Sequence, residues 1–197
     1  MKTLLFKESI DYVILLCFIM FIFKQFNIIF LICFTLLLML MYIYRLPKRK
    51  KPNYGDEIIT APCDGRILSI QETKERMYKI SIKLSVLNVV IQWYPVEGVV
   101  RNVIYKPSKY KYPNILTERY TTILQHNKGI VRVDQIGNLI PRSVVNKSIS
   151  NTFVKRGNIM GLMGTTVEIH IPIKKTELFI QENDLVCGKT SAIAKWI

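Results

Sequence analysis

Residues 161–172 read GLMGTTVEIHIP, and from Val167 onward apolar and polar side chains alternate. In an extended chain the valine and the two isoleucines share one face, while Glu168 and His170 share the other. The alternation predicts a strand with one buried face, and Gly164 marks a turn just before it. Threonine also favours extended backbone. Taken alone, these residues indicate a strand and no particular chemistry.

Short apolar runs of this kind continue through residues 52–197, separated by turn residues. Seven runs rich in β-branched residues predict strands: RILSI (66–70), YKISIKL (78–84), NVVIQWY (88–94), GVVRNVIY (98–105), TTIL (121–124), IVRVDQIGNLI (130–140) and VEIHIP (167–172). Breaks are predicted at 62–65, 97–98, 127–129 and 137–138. No amphipathic helix of convincing length follows residue 52. We expect a mainly β domain, folded as a compact barrel or sandwich.

Two segments, PVEGVVRNVIYKP (95–107) and VKRGNIMGLM (154–163), resemble the barrel-sandwich of lipoyl- and biotin-carrier proteins. A carrier needs an exposed lysine, usually between two methionines, and no Met-Lys-Met occurs here. The resemblance therefore supports lipoyl-like barrel elements and argues against a carrier function.

The N-terminal region contains two apolar runs, at 10–23 and 28–44, separated by the polar residues 24–27. As a helix, the second run reaches about 26 Å, which is barely the thickness of a bilayer core. One continuous helix would place Lys24 near mid-membrane at a cost of about 2.5–3.5 kcal/mol. We therefore predict a helical hairpin, with a single span over 28–44 as the alternative. No alanine precedes Ala61, so a cleaved signal peptide is not expected.

The net charge of +14 comes almost entirely from residues 45–197. A basic cluster directly follows the second apolar run, and lysines precede the first run. This distribution predicts a membrane anchor over 1–51 and a domain over 52–197 that faces the cytoplasm. The expected partner is an anionic phospholipid membrane. A strongly basic domain can also bind nucleic acid. No nucleic-acid-binding motif is present in the sequence, however, and we expect no nucleic acid to bind.

The four cysteines include no C-x-x-C pair. Their spacing suggests neither a disulfide framework nor a metal site, and reduced thiols are expected in a cytosolic setting. The sequence therefore predicts no bound metal.

Several segments, taken in order, resemble the short, membrane-bound form of phosphatidylserine decarboxylase. The resemblance as a whole extends from about residue 42 to residue 188. The segments that carry it are YIYRLPKRKKPN (42–53), APCDGRILSI (61–70), ISIKLSVLNVVIQWYPVEGVV (80–100), YKPSKY (105–110), TERY (117–120), QIGNLIPR (135–142) and FVKRGNIMGLMGTTVEIHIP (153–172). The last segment resembles the family's processing region. The order of the segments carries the resemblance more than any single segment does.

The resemblance implies a self-processing enzyme. In this family a serine hydroxyl attacks the carbonyl of the preceding glycine, and the peptide becomes an ester that β-elimination then cuts. The new N-terminus is a pyruvoyl group, a ketone that serves as an electron sink while phosphatidylserine loses CO₂ to give phosphatidylethanolamine. In this chain the processing site corresponds to Gly164 and Thr165. Glycine suits the first position because it has no Cβ to obstruct the attack.

Three positions decide whether this chemistry is retained. Asp64 matches the family's aspartate, which supports a charge relay; the alternative interpretation is an ordinary Asp-Gly turn. Val90 stands where the family has a histidine, and Trp93 replaces a later basic residue. Valine cannot move a proton. Thr165 has a bulkier secondary hydroxyl, and its processing would give a 2-oxobutyryl group. Of the remaining histidines, His126 is predicted in a hairpin turn and His170 on a strand, both solvated.

The sequence thus predicts a phosphatidylserine decarboxylase-like protein with Asp64 and Thr165 as catalytic residues and slow or absent self-cleavage. One alternative is a non-catalytic family member that binds anionic membrane or a protein partner. A membrane-tethered nucleic-acid binder ranks below both. Whether the chain is an active enzyme stays open at this point.

Overall fold

The computed structural model divides the chain into two compact units, Met1–Lys48 with Val86–Val89 and Arg49–Ser85 with Val90–Ile197. The structure describes residues 10–22, 27–43, 45, 47–49, 54–85, 88–109, 116–138, 144–162 and 164–197. The boundary after residue 51 stays a prediction from the sequence.

The first unit contains two helices, α1 (Ile10–Ile22) and α2 (Asn27–Ile43), which contact each other. Both are almost wholly apolar, as the two hydrophobic runs predict; the exceptions include Asp11 in the first turn of α1. None of the described helices is long and apolar enough to cross a membrane. The 17 residues of α2 rise only about 26 Å, so the predicted membrane spans are not supported. Residues 23–26, at the predicted tip of the hairpin, lie outside the described residues.

The second unit is built from strands that follow the alternation of apolar and polar residues. There are fourteen in the described residues: β1 (Ile58–Thr60), β2 (Gly65–Glu72), β3 (Met77–Lys83), β4 (Ile91–Trp93), β5 (Gly98–Lys109), β6 (Leu116–Gln125), β7 (Ile130–Asn138), β8 (Val145–Asn146), β9 (Phe153–Val154), β10 (Ile159–Leu162), β11 (Thr166–Pro172), β12 (Thr176–Leu178), β13 (Leu185–Val186) and β14 (Ala192–Trp196). A 3-10 turn, Ile173–Lys175, connects β11 to β12.

These strands form one large and two small antiparallel sheets. The large sheet has the order β13-β2-β3-β11-β7-β6-β5-β9, and the small ones have the orders β1-β14-β12 and β4-β10-β8. Mainly β structure is therefore confirmed. Closure of the large sheet into a barrel is not found, because among the described strands no pairing joins its edge strands β13 and β9.

The core lies against the inner face of the large sheet. Val167, Ile169 and Ile171 of β11 are completely buried there, as the opening alternation predicts. Burying each such side chain contributes about 1.5–3 kcal/mol to the stability of the fold.

Two details of the strand prediction were wrong: β4 covers only three residues of the NVVIQWY run, and residues 137–138 do not break β7. The long neighbour β6 pairs with both of these residues and keeps them extended.

Candidate functional site

The Gly164–Thr165 step lies between β10 and β11, at the end of the large sheet where β11 begins. The backbone N–H of Thr165 donates to the carbonyl of Ile136 at 3.0 Å, and the N–H of Leu84 donates to the Thr165 carbonyl at 3.2 Å. Neighbours on both sides therefore hold this residue. Its hydroxyl is half-buried and donates to the same Ile136 carbonyl over a long 3.4 Å. A backbone carbonyl cannot take the hydroxyl proton, so this contact does not activate the oxygen.

Val90 lies near the same step. It directly precedes β4, whose first residue Ile91 pairs with Leu162, two residues before Gly164. Its side chain is 7% exposed. The structure thus places Val90, which the resemblance matches to the family's histidine, beside the turn that carries Gly164, but the valine side chain has no proton to donate or accept.

Asp64 is held by an arginine. Arg49 donates to both carboxylate oxygens, at 2.6 Å for Nη2, and also to the carbonyl of Gly188 at 2.7 Å. The N–H of Gly188 donates to Asp64 at 2.8 Å. This bidentate hydrogen bond, together with the charge of Asp64, raises the pKa of Arg49 despite the opposing effect of burial. Asp64 is therefore a fixed and nearly buried carboxylate.

The Arg49 guanidinium also lies over the ring of Trp93, 4.9 Å from its centroid. Trp93 in turn packs on Gly188, where a Cβ would approach the indole ring to 2.5 Å. Only glycine fits at this contact. The residue that stands in place of the family's second basic residue is thus covered by a basic residue from elsewhere in the chain.

Asp64 and Thr165 lie at the same end of the large sheet, two strands apart. Gly65, the first residue of β2, packs so closely against the Lys83 carbonyl that a Cβ there would collide with it. Lys83 pairs with Thr166 on the other side. With strands about 4.8 Å apart, the backbones of Gly65 and Thr165 are separated by roughly 10 Å. The structure brings Asp64, Val90 and Thr165 to one region without placing Asp64 in contact with the hydroxyl.

A chain of buried amides runs beside this region and was missed in the sequence. Gln135 on β7 donates to Gln92 on β4, and Asn146 donates to Gln135 at 2.7 Å and to Thr122 at 2.9 Å. Gln92 and Gln135 are completely buried. The signal was available, because Gln92 follows three apolar residues and Gln135 occupies the position that Val131 and Val133 predict to be apolar. Buried polar residues of this kind need a structural or chemical reason.

A second polar cluster occupies the outer face of the large sheet. Asp134, Glu168 and His170 are all buried, and one ligand atom from each lies within 4.8 Å of the others, a spacing that could hold a metal ion. Three basic side chains already neutralise the two carboxylates, however: Lys79 with Glu168 at 2.7 Å, Arg119 with Asp134 at 3.2 Å, and Arg132 with Asp134 at 3.5 Å. The positive charge of these three side chains would repel a metal cation. We therefore interpret the cluster as an ion-pair network.

This network also corrects the prediction for the histidines. His170 is only 3% exposed, with Arg132 at 3.1 Å from its Nε2. His126 does lie in a hairpin turn, as predicted, but it is also 3% exposed and stacks on Trp196 at 5.2 Å. Burial lowers the pKa of His126. The prediction that both imidazoles are solvated was wrong, because neighbouring long and aromatic side chains cover them.

The pKa of Asp134 is also shifted. Burial alone would raise it, but hydrogen bonds from His170 and Thr121 and the charge of Arg132 outweigh burial, and the pKa lies below its ordinary value. Asp134 is thus ionised in the folded protein.

Comparison with known proteins gives a consistent result. The phosphatidylserine decarboxylase family model matches residues 36–193. A phosphatidylserine decarboxylase proenzyme of Ehrlichia chaffeensis is 31% identical over 83% of this chain and 78% of its own length. The proenzyme of Wolbachia pipientis wMel is also 31% identical, over 82% and 77%, and that of Carboxydothermus hydrogenoformans is 29% identical, over 84% and 83%. No solved structure matches the chain.

Proposed function

The chain belongs to the phosphatidylserine decarboxylase family, and from this premise we propose that it is a slowly self-processing proenzyme whose Gly164–Thr165 bond is the cleavage site. The observation that supports this most directly is the position of that bond. A glycine and a hydroxyl residue occupy the start of a central strand, at the sheet end that also holds Asp64 and the position of the family's histidine.

The proposed cleavage uses the atoms of the chain and one water molecule. The Thr165 hydroxyl oxygen bonds to the Gly164 carbonyl carbon, the C–N bond breaks, and the amide becomes an ester with a free amine. Loss of the Thr165 α-proton then breaks the Cβ–O bond and leaves Gly164 with a carboxylate. Hydrolysis of the resulting enamine releases ammonia and leaves a 2-oxobutyryl group at residue 165. Such a ketone supplies the electron sink for decarboxylation.

The backbone around Thr165 fits this group, but the proton-moving side chains are incomplete. Ile136 and Leu84 fix residue 165 in place. Val90 offers no base, and Asp64 is engaged by Arg49 and Gly188 rather than by the hydroxyl. General acid–base catalysis contributes typically 10²–10⁴-fold, so its loss at one position makes processing slow.

We further propose that the protein works at an anionic membrane, with the β domain on the cytoplasmic side and phosphatidylserine as the substrate. Support comes from the apolar helices α1 and α2 and from the net charge of +14. Flotation of the full chain with phosphatidylserine vesicles and with neutral vesicles tests the association. Equal binding to both at all salt concentrations would contradict the electrostatic part of the proposal.

Mass spectrometry of the freshly purified full chain tests the cleavage. We expect mostly intact protein, with a fragment 165–197 that accumulates over time and gains mass when hydrazine traps its ketone. The matched control is Thr165→Ala, which removes only the attacking oxygen and the adjacent methyl and should give no fragment. A wild-type chain that stays intact indefinitely would refute the proposal and favour the non-catalytic alternative. A fragment with a free amino group would point to an adventitious protease.

A further inference from the structure

The buried amide chain has a fixed direction, set at one end by the backbone. The N–H of Ser148 donates to Asn146 Oδ1 at 2.7 Å, so the nitrogen of that amide must face the other way. Asn146 Nδ2 then donates to Gln135 Oε1, and Gln135 Nε2 donates to Gln92 Oε1. Turning any one amide over would set two donors or two acceptors against each other. The orientation of all three side chains is therefore determined.

The chain ends on a donor that has no partner. Gln92 Nε2 is buried, and no hydrogen-bond acceptor among the described residues contacts it. Leaving a buried donor unsatisfied costs about 1–3 kcal/mol. The Oε1 of Gln92 is already used as the acceptor for Gln135, whereas its Nε2 calls for an acceptor that forms only in another state of the molecule.

The location of Gln92 indicates which acceptor this is. Side chains two residues apart on a strand share a face, so Gln92 and Val90 point to the same side of the β4 segment. Gln92 pairs with Gly161 on β10, which leads into the turn at Gly164. On the other side its partner Gln135 directly precedes Ile136, whose carbonyl binds Thr165. The Gln92 side chain therefore lies between the two segments that hold the processing bond.

We propose that Gln92 is a catalytic residue for self-cleavage, donating a hydrogen bond to the Gly164 carbonyl oxygen as negative charge develops on it. This inference rests on the proposed function. When the hydroxyl oxygen bonds to the carbonyl carbon, the π electron pair moves to the carbonyl oxygen. Gln92 Nε2–H stabilises that charge, and the pair returns as the C–N bond breaks and the nitrogen takes a proton. A preoriented donor of this kind contributes about 10²–10³-fold.

The test uses the full chain with Thr165→Ser and Val90→His, which restores a serine and a base and makes cleavage measurable. In this background, Gln92→Glu keeps the acceptor for Gln135 but loses the N–H. We expect its cleavage at neutral pH to be about 100-fold slower or more. As the pH falls, the rate relative to the parent at the same pH should recover, because a protonated carboxyl again offers a donor. Gln92→Met should stay slow at every pH.

A second variant leaves Gln92 in place. Gln135→Glu accepts from Asn146 but offers no N–H to Gln92, so the Gln92 amide should turn its nitrogen toward the new carboxylate and its oxygen toward the scissile bond. We expect cleavage to slow as in Gln92→Glu, although residue 92 is unchanged. Thr122→Val is the control, because it touches the amide chain only at Asn146 and should cleave at the parental rate.

Denaturant unfolding of each variant separates folding from chemistry. If Gln92→Glu folds normally and cleaves at the parental rate, the assignment of Gln92 is wrong while the proposed function stands. If the rate relative to the parent does not recover at low pH, Gln92 has a structural role and the assignment is also overturned. If the parent itself gives no fragment, both the proposed function and the role of Gln92 fail.

Discussion

Two aspartates in this protein are largely buried and paired with arginine, yet they stand in different surroundings. Asp64 has one arginine and one backbone N–H, and it lies at the sheet end that carries the processing bond. Asp134 has two arginines and a histidine, and it lies in the middle of the outer face. Asp134 has the environment usually associated with an active site, including a shifted pKa and an adjacent imidazole. The sheet end that carries the scissile bond, however, belongs to Asp64.

The comparison shows that a shifted pKa does not by itself identify a catalytic residue. On β11, Glu168 and His170 project to the face opposite the core, whereas the hydroxyl residue at the start of the strand is held by Ile136 and Leu84. The ion pairs of the Asp134 cluster therefore stabilise charged residues that are buried on the outer face of the large sheet. We expect Asp64 to affect cleavage and Asp134 to affect stability.

The largest expected effect concerns cleavage. Thr165→Ser with Val90→His should raise the cleavage rate of the full chain by roughly 10²–10⁴-fold, because a positioned base is restored. Asp64→Asn in this background should remove most of the gain. Asp134→Asn should keep it, measured at a temperature where the variant is folded. Fragment 165–197, quantified by mass spectrometry over time, gives the rates.

The opposite pattern, in which Asp134→Asn abolishes cleavage in a folded protein, would reverse the roles assigned to the two aspartates.

Adding Trp93→Arg to the Thr165→Ser and Val90→His background should not increase the cleavage rate further. Arg49 already lies over Trp93, and a second buried guanidinium beside it would be repelled. A clear gain from Trp93→Arg would show that Arg49 does not substitute for the family's basic residue.

The next effect concerns stability. Asp134→Asn removes a carboxylate from Arg132 and Arg119, of which Arg119 keeps Glu168 at 3.5 Å, and removing one partner of a buried pair costs about 3–5 kcal/mol. Since Arg119 is 40% exposed, we expect the lower end of that range. Asp64→Asn keeps an acceptor for Gly188 and should cost less. Urea unfolding of both variants measures the difference, and equal losses would contradict it.

The smallest effect is the pH dependence of stability. Because the folded pKa of Asp134 is depressed, its contribution is present above the unfolded value of about 3.9 and is lost as pH falls through the folded pKa. The free energy of unfolding should therefore decrease on acidification below that value. Asp134→Asn should show a shallower decrease, since its side chain cannot take a proton. Parallel curves for the two proteins would show that other carboxylates dominate.

Much of the fold could be predicted because burial follows alternation. The run from Val167 to Pro172 is a strand with the predicted inner face, and the turn at 127–129 joins β6 to β7 as expected. Strands of two residues, such as β8, β9 and β13, could not be predicted. Their extended backbone depends on distant neighbours rather than on local composition.

The candidate site was only partly predictable for the same reason. Gly164, Thr165, Asp64 and Val90 could be found because a family resemblance marks them. The pairing of Asp64 with Arg49 could not, since in the sequence Arg49 is one of several basic residues in a cluster that suggested a membrane surface. The solvated histidines were predicted wrongly because polarity alone does not reveal which polar residues long basic side chains will cover.

The position of β11 has a further consequence. It pairs with β3 on one side and β7 on the other, and the segment that follows supplies β13 to the large sheet and β14 as the middle strand of a small one. Breaking the bond before Thr165 would thus yield two interlocked polypeptides, each lacking strands that only the other provides. They would migrate as one particle under native conditions and part only in denaturant. The covalent link before cleavage therefore keeps both halves together while the shared sheets form.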